Sequence, residues 1–262
     1  MNILEFQARK AAGDKISMVT CYDFWSAQVL NQTDVDCLLV GDSLSMVMHG
    51  HDSTVYADVE LMALHVKAVK RGAPDKFVVG DMPFLATRKG LTPTMDAVAD
   101  LMQSGANCVK IEGEQGQTDL IKHIVDSGVP VMGHLGLTPQ SVEAFGGHKV
   151  QGRNEGQAGA IMESAKKLEQ AGAFCIVLEC VPTELGRIIS EQLTIPTIGI
   201  GAGPHTDGQV LVLQDMLGMN PSFKPKFLRH YADGRGVITD AVNRFHEDTR
   251  SGEFPSKAES YA

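Results

Sequence analysis

Short, nearly unbroken apolar runs alternate along the chain with longer stretches in which apolar residues recur every three or four positions. The runs SMVTCY (17–22), CLLVGD (37–42), FVVGDM (77–82), CVKIEG (108–113), VPVMGHL (129–135), CIVLEC (175–180), TIGIGA (197–202) and QVLVL (209–213) read as strands. Most are apolar at successive positions rather than at alternate ones, the pattern of parallel strands covered on both faces. Between them, Thr92 followed by Pro93 predicts a helix start, with Met95, Val98 and Met102 at helical spacing and Gly105 as the stop. Thr118 is expected to cap a second helix that carries Leu120, Ile121, Ile124 and Val125 on one face. Residues 154–172 form a third, ending on glycine. Eight strands joined by helical crossovers favour a (β/α)8 TIM barrel within a single domain, 1–262, over a doubly wound open sheet. The polar segment 249–262 reads as a flexible tail or an oligomer arm.

Size agrees with that reading. A chain of 262 residues with 43% hydrophobic positions buries enough surface to need no disulfide framework. Four of its five cysteines lie in strand-like runs and none forms a CxxC pair, so reduced, buried thiols in a cytoplasmic protein are expected. The formal net charge of −9, without a basic cluster, argues against nucleic acid as a partner. No run approaches the length of a membrane span, and the first residues lack the apolar core of a signal peptide.

The candidate chemistry sits where the strands finish. Asp42 and Ser43 follow the second run, Asp81 closes the third, Lys110 and Glu112 lie in the fourth, His134 in the fifth and Glu179 in the sixth. Side chains two apart on a strand share a face, so Lys110 and Glu112 point together with Cys108, into the lumen, while Val109 and Ile111 face the helices. By the same rule Asp42 shares a face with Leu38 and Val40. One such residue alone reads as a turn former, an ion pair or a satisfied core histidine. Four carboxylates and a lysine in one barrel mouth repel one another and lose hydration, and such a set persists when a cation or charged ligand compensates it. Asp42, Asp81 and Glu112 are hard oxygen donors of the kind that select Mg²⁺. A Mg²⁺-chelated 2-keto acid would have its carbonyl polarised, with Lys110 opposite developing charge and Glu179 as a base for the proton next to that carbonyl. Two motifs are weaker. GIGAGP (199–204) does not spell a dinucleotide loop and reads as tight turns or a close approach to a ligand. The two histidines of MHGHDST (48–54) fit a lid better than a metal site.

Longer motifs go further. The stretches LLVGDSL, VGDMPF, VKIEG, PVMGHLGLTPQSV, VQGR, VLECVP, IPTIGIGAG and DGQVLV, in this order, resemble the ketopantoate hydroxymethyltransferases over nearly the whole chain. The resemblance implies a barrel like those of the phosphoenolpyruvate/pyruvate superfamily. It also implies hydroxymethyl transfer from 5,10-methylenetetrahydrofolate to 3-methyl-2-oxobutanoate in pantothenate biosynthesis, giving 2-dehydropantoate. Carried over by position, it makes Asp42, Asp81 and Glu112 the ligands of one Mg²⁺ per subunit. Asp42, Ser43, Asp81, Lys110 and His134 become substrate contacts, Glu179 becomes the proton acceptor, and a homo-oligomer, a decamer in many members, is expected. The chain departs from the family pattern at Ser45, at Leu85, Ala86 and Thr87, at Glu114, and over 55–58. Two other functions fit the scaffold. A keto-acid lyase would call for a cysteine in the loop after the fourth or fifth strand, and 113–123 has none. A non-catalytic binding protein would be expected to have lost a charged mouth residue, and none is lost.

Overall fold

The apolar runs pair in chain order. In the computed structural model, which describes residues 1–261, β1 (Ile16–Thr20), β2 (Cys37–Val40), β3 (Phe77–Asp81), β4 (Cys108–Glu112), β5 (Val131–Gly136), β6 (Cys175–Glu179), β7 (Thr197–Ile200) and β8 (Gly208–Leu211) are all parallel. β8 pairs back onto β1, Ile16 opposite Gly208, and closes the barrel. The crossovers carry α2 (Phe24–Asn31), α3 (Leu44–Val47), α4 (Val59–Gly72), α5 (Leu91–Gln103), α6 (Thr118–Asp126), α7 (Glu155–Gln170) and α8 (Thr183–Gln192), after an N-terminal α1 (Ile3–Ala12). The strand order and the helical crossovers are those of the expected barrel.

The register decides which residues fill the lumen. Met18, Leu39, Val79, Cys108, Met132, Val177, Ile198 and Val210, one from each strand, belong to a single buried cluster. Their neighbours Leu38, Val40, Val109 and Ile111 are equally buried but lie outside it, on the helix-facing side. Cys108 is therefore on the same face as Lys110 and Glu112, as alternation requires.

The cluster is sealed at the N-terminal end of the strands by α1, which the apolar pattern alone does not mark. Asn2 caps it and Glu5 accepts a hydrogen bond from the Asn2 N–H, a reciprocal capping box. Its one fully buried residue, Phe6, meets Phe77 and Phe174 edge to face, with centroids 5.3 and 5.2 Å away. That geometry suits the aromatic quadrupole and plugs the floor.

Several boundaries differ from expectation. The last strand stops at Leu211, because Leu213 opens a short helix. α5 begins at Leu91, and its N-cap is Gly90 rather than Thr92. Thr118 is the first residue of α6, not its cap, and its hydroxyl donates to Glu114 at 2.6 Å. The barrel forms one compact unit, Met1–Leu211, and ends short of the 1–262 span expected of a single domain; Val212–Ala262 forms a second unit. That second unit contains α9 (Leu213–Met216) and α10 (Gly234–Ser251). Of the segment 249–262, the first three residues close α10, Lys257–Glu259 form a 3-10 turn, and residue 262 lies outside the described residues.

All five cysteines are free. Burial pushes the thiols of Cys37, Cys108 and Cys175 upward and that of Cys21 up to about 12. The thiolate is the reactive form, so these four are inert while the barrel is intact. Titration of the native protein at pH 8 with an aromatic disulfide reagent is expected to label Cys180 alone, slowly, since burial raises its thiol to about 11. Urea should expose all five. Fast labelling of a lumen cysteine without denaturant would contradict the packing.

Among the described residues no helix is long and apolar enough to cross a membrane.

Candidate active site

The C-terminal ends of β2 to β6 bring the expected residues together. β3, β4, β5 and β6 each deliver an inward side chain by strand alternation: Asp81, Lys110 with Glu112, His134 and Glu179. Asp42 arrives differently. Leu38 and Val40 face the helices, so continued alternation would have sent Asp42 outward with them. β2 instead ends at Val40, and the turn after Gly41 redirects the chain. The Asp42 N–H then donates to Asp81 Oδ2 at 3.3 Å. The shared-face expectation for Asp42, Val40 and Leu38 is corrected by that turn, yet Asp42 still reaches the mouth.

The charges are tightly coupled. Lys110 Nζ lies 2.9 Å from Asp81 Oδ1, 3.9 Å from Glu112 Oε1 and 3.1 Å from His134 Nδ1. His134 Nδ1 is 3.3 Å from Glu112 Oε1, and its Nε2 is 3.2 Å from Glu179 Oε2. Asp42, Asp81, Lys110 and His134 are buried, whereas the Glu179 side chain keeps 18% of its exposure and is the most open acid of the set. Ser43 is placed beside this cluster: its Oγ is 2.8 Å from the Tyr22 hydroxyl, and a Cβ on Gly41 would meet both Ser43 Oγ and Asp81 Oδ2.

Burial sets the protonation states. Desolvation, then the neighbouring charges of Asp81 and Glu112, pushes Asp42 well above the ordinary carboxylate range. Desolvation also raises Asp81 and Glu112, with Lys110 opposing in both. Burial alone would lower Lys110, but Asp81, Glu112 and Asp42 outweigh it and hold the ammonium charged. His134 is lowered by burial and then by Lys110, so the ring is neutral. A charged lysine can only donate, which makes Nδ1 the acceptor in that pair and leaves the ring proton on Nε2, the nitrogen 3.2 Å from Glu179 Oε2.

One residue of the cluster is not marked by any sequence pattern. Gln140, in the 3-10 turn Pro139–Ser141 after β5, donates from its side-chain amide to Asp42 Oδ2 at 2.8 Å and to the Met82 carbonyl at 2.9 Å. Its backbone N–H donates to Glu112 Oε2 at 3.1 Å. The stretch PVMGHLGLTPQSV contains it, but an amide in an irregular turn has no period to single it out.

The carboxylate set fits a hard cation. Asp42, Asp81 and Glu112 each offer an oxygen, all within 4.8 Å of one another. One ammonium stands among these three acids, and burying unbalanced carboxylates is costly without a further positive charge. Three oxygen donors and no soft ligand suit Mg²⁺.

Other expectations resolve locally. In GIGAGP, Gly201 and Gly203 adopt left-handed φ of 67° and 85°, and a Cβ on Gly203 would strike Thr183, so these are tight turns packed on α8. In 48–54, His49 Nε2 lies 3.0 Å from His65 Nε2 and the His51 ring stacks on Tyr56 at 4.6 Å. The departures have local partners too. Ser45 Oγ donates to the Ser53 carbonyl, and the buried Glu114 accepts from Thr118 and Ser164. Leu85 takes a left-handed φ of 59°, the region that favours glycine.

Gly136, which ends β5 opposite Glu179, is a sensitive point. Its φ is 92°, and a Cβ there would collide with the Glu179 carbonyl oxygen. Gly136→Ala is expected to destabilise the protein by ~2–4 kcal/mol, from the strained backbone and the clash. Urea denaturation reads this directly, and an unchanged midpoint would refute the close approach.

A closed barrel with its charges gathered at the C-terminal mouth is the build of a (β/α)8-barrel enzyme. Solved structures agree on the fold. Phosphonopyruvate hydrolase in complex with oxalate and Mg²⁺ matches with TM-score 0.63 at 10% identity, covering 99% of this chain and 93% of that one. A 2,3-dimethylmalate lyase of the PEP mutase/isocitrate lyase superfamily matches with TM-score 0.60 at 15% identity, covering 99% and 91%. The chain belongs to the ketopantoate hydroxymethyltransferase family, whose model matches residues 1–257. Relatives named 3-methyl-2-oxobutanoate hydroxymethyltransferase share 56% identity over 260 residues in Bdellovibrio bacteriovorus, covering 99% of both chains. The relative in Coxiella burnetii shares 53% over 256 residues, covering 97% of this chain and 96% of its own.

Proposed function

We propose that this enzyme transfers a hydroxymethyl group from 5,10-methylenetetrahydrofolate to 3-methyl-2-oxobutanoate, giving 2-dehydropantoate, as a cytoplasmic homo-oligomer. Asp42, Asp81 and Glu112 would hold one Mg²⁺, which when bound supplies Lewis acidity to the keto oxygen. The observation that carries this reading is the convergence of those three acids with Lys110, His134 and Glu179 in one mouth of a family member.

The roles follow from position. Lys110, held charged by its acidic neighbours, faces the negative charge that develops as a proton leaves C3. Glu179, the most open of the acids, takes that proton, and the electron pair left on C3 bonds to the methylene carbon of the folate; the two carbon–nitrogen bonds of that carbon break, water supplies the hydroxyl, and tetrahydrofolate leaves carrying the two protons released. Neutral His134 packs beside the base, with Nε2 3.2 Å from its carboxylate, while its other nitrogen rests on Lys110. Ser43, fixed by Tyr22, is placed to contact the keto acid.

Loss of deuterium from C3 of labelled 3-methyl-2-oxobutanoate, followed by NMR without any folate, isolates the proton step. Exchange is expected with Mg²⁺ and is expected to stop when a chelator removes the metal. Equal exchange in both conditions would reject the metal-assisted reading.

A further inference from the structure

Gln140 bridges three strand ends from a turn of its own. It sits after β5, yet its amide reaches Asp42 after β2 and the Met82 carbonyl after β3, and its backbone N–H reaches Glu112 at the end of β4. Both side-chain N–H donors are used. Asp42 thereby has one oxygen, Oδ2, committed to an amide proton, and Glu112 has one oxygen, Oε2, committed to a backbone N–H. On each of these carboxylates one oxygen is thus already partly engaged, which leaves the other as the stronger donor to a cation.

That difference separates two common cations. Mg²⁺ demands a small octahedron, takes one oxygen from each of a few carboxylates, and keeps several waters. Ca²⁺ takes six to eight oxygens at longer distance and draws on bidentate carboxylates. We propose that Gln140 is a positioning residue that sets cation choice: by holding Asp42 Oδ2 in a hydrogen bond it weakens that oxygen as a second ligand and favours monodentate binding, a donor set suited to Mg²⁺ and poor for Ca²⁺. The inference rests on the Asp42, Asp81 and Glu112 metal site and extends it to a residue outside the ligand set. Hydrogen-bond partners of ligating groups typically change metal affinity ~10–100-fold when removed.

The test uses the full chain stripped of metal, with Gln140→Leu and Gln140→Ala. Both changes leave the backbone N–H to Glu112 in place and remove only the amide. Isothermal titration with Mg²⁺ alone and with Ca²⁺ alone is the direct readout. The Mg²⁺ dissociation constant is expected to rise ~10–100-fold in the variants, with a smaller change for Ca²⁺, so that the preference for Mg²⁺ narrows about tenfold. Exchange at C3 should return to near the unaltered rate once Mg²⁺ saturates, shifting the metal requirement rather than the maximum. Circular dichroism identifies which variant is folded, and either one suffices. An unchanged Mg²⁺-to-Ca²⁺ preference in a folded variant, whether affinities stay constant or fall together, would overturn the role of Gln140 while leaving the site standing. If the unaltered protein bound no Mg²⁺, the site reading and this inference would both be rejected.

Discussion

Replacing Glu179 with glutamine is expected to slow exchange of the C3 deuteron ~10²–10⁴-fold, the range a positioned general base supplies. Glutamine keeps the shape of the side chain and an oxygen that can accept from His134 Nε2, so the 3.2 Å contact has a substitute. The Asp42, Asp81 and Glu112 oxygens are untouched. Mg²⁺ affinity by calorimetry and the urea midpoint should therefore match the unaltered protein. This combination separates a base from a structural acid: exchange disappears while metal and fold persist. Exchange at the normal rate would remove Glu179 from its role, and loss of metal binding would place it in the cation site instead.

Lys110→Met is expected to cause the largest loss of stability, ~3–5 kcal/mol in metal-free buffer, because it leaves buried acids without their partner. Lys110 is buried and stands 2.9 Å from Asp81 and 3.9 Å from Glu112, and methionine approximates its volume without the charge. The defect is thus electrostatic rather than a cavity. Added Mg²⁺ should restore more stability to the variant than it adds to the unaltered protein, since the cation takes over part of the missing balance. Urea denaturation with and without Mg²⁺ measures both quantities. Equal metal-free stability of the two proteins would show that the acids do not depend on the ammonium.

Much of the barrel and its mouth is legible in the amino-acid pattern, and the reasons are physical. The strands stand out because both faces are covered, which demands continuous apolar runs. Lys110 and Glu112 fall to the lumen because a period of two leaves no other face for charge. Where regular geometry ends, so does legibility. Asp42 reaches the mouth through a turn that breaks alternation after Val40, and the shared-face argument misdescribes it. Gln140 works from a 3-10 turn through one side-chain amide and one backbone N–H, neither of which leaves a pattern in the sequence. α1 escapes a search for apolar periodicity, although Asn2 and Glu5 spell its capping box. The last strand is overrun by two residues because Val212 and Leu213 look like strand but lead into a helix.

The seam between β1 and β8, with Phe6 lodged between Phe77 and Phe174, has a consequence for biosynthesis. α1 waits long for its seat, because its partners Phe77 and Phe174 are translated well after it. Until Gly208 to Leu211 emerge, β1 carries an unpaired edge, the exposure that invites self-association in nascent chains. Synthesis stalled before that point would yield a protein prone to precipitate, because the edge of β1 stays open.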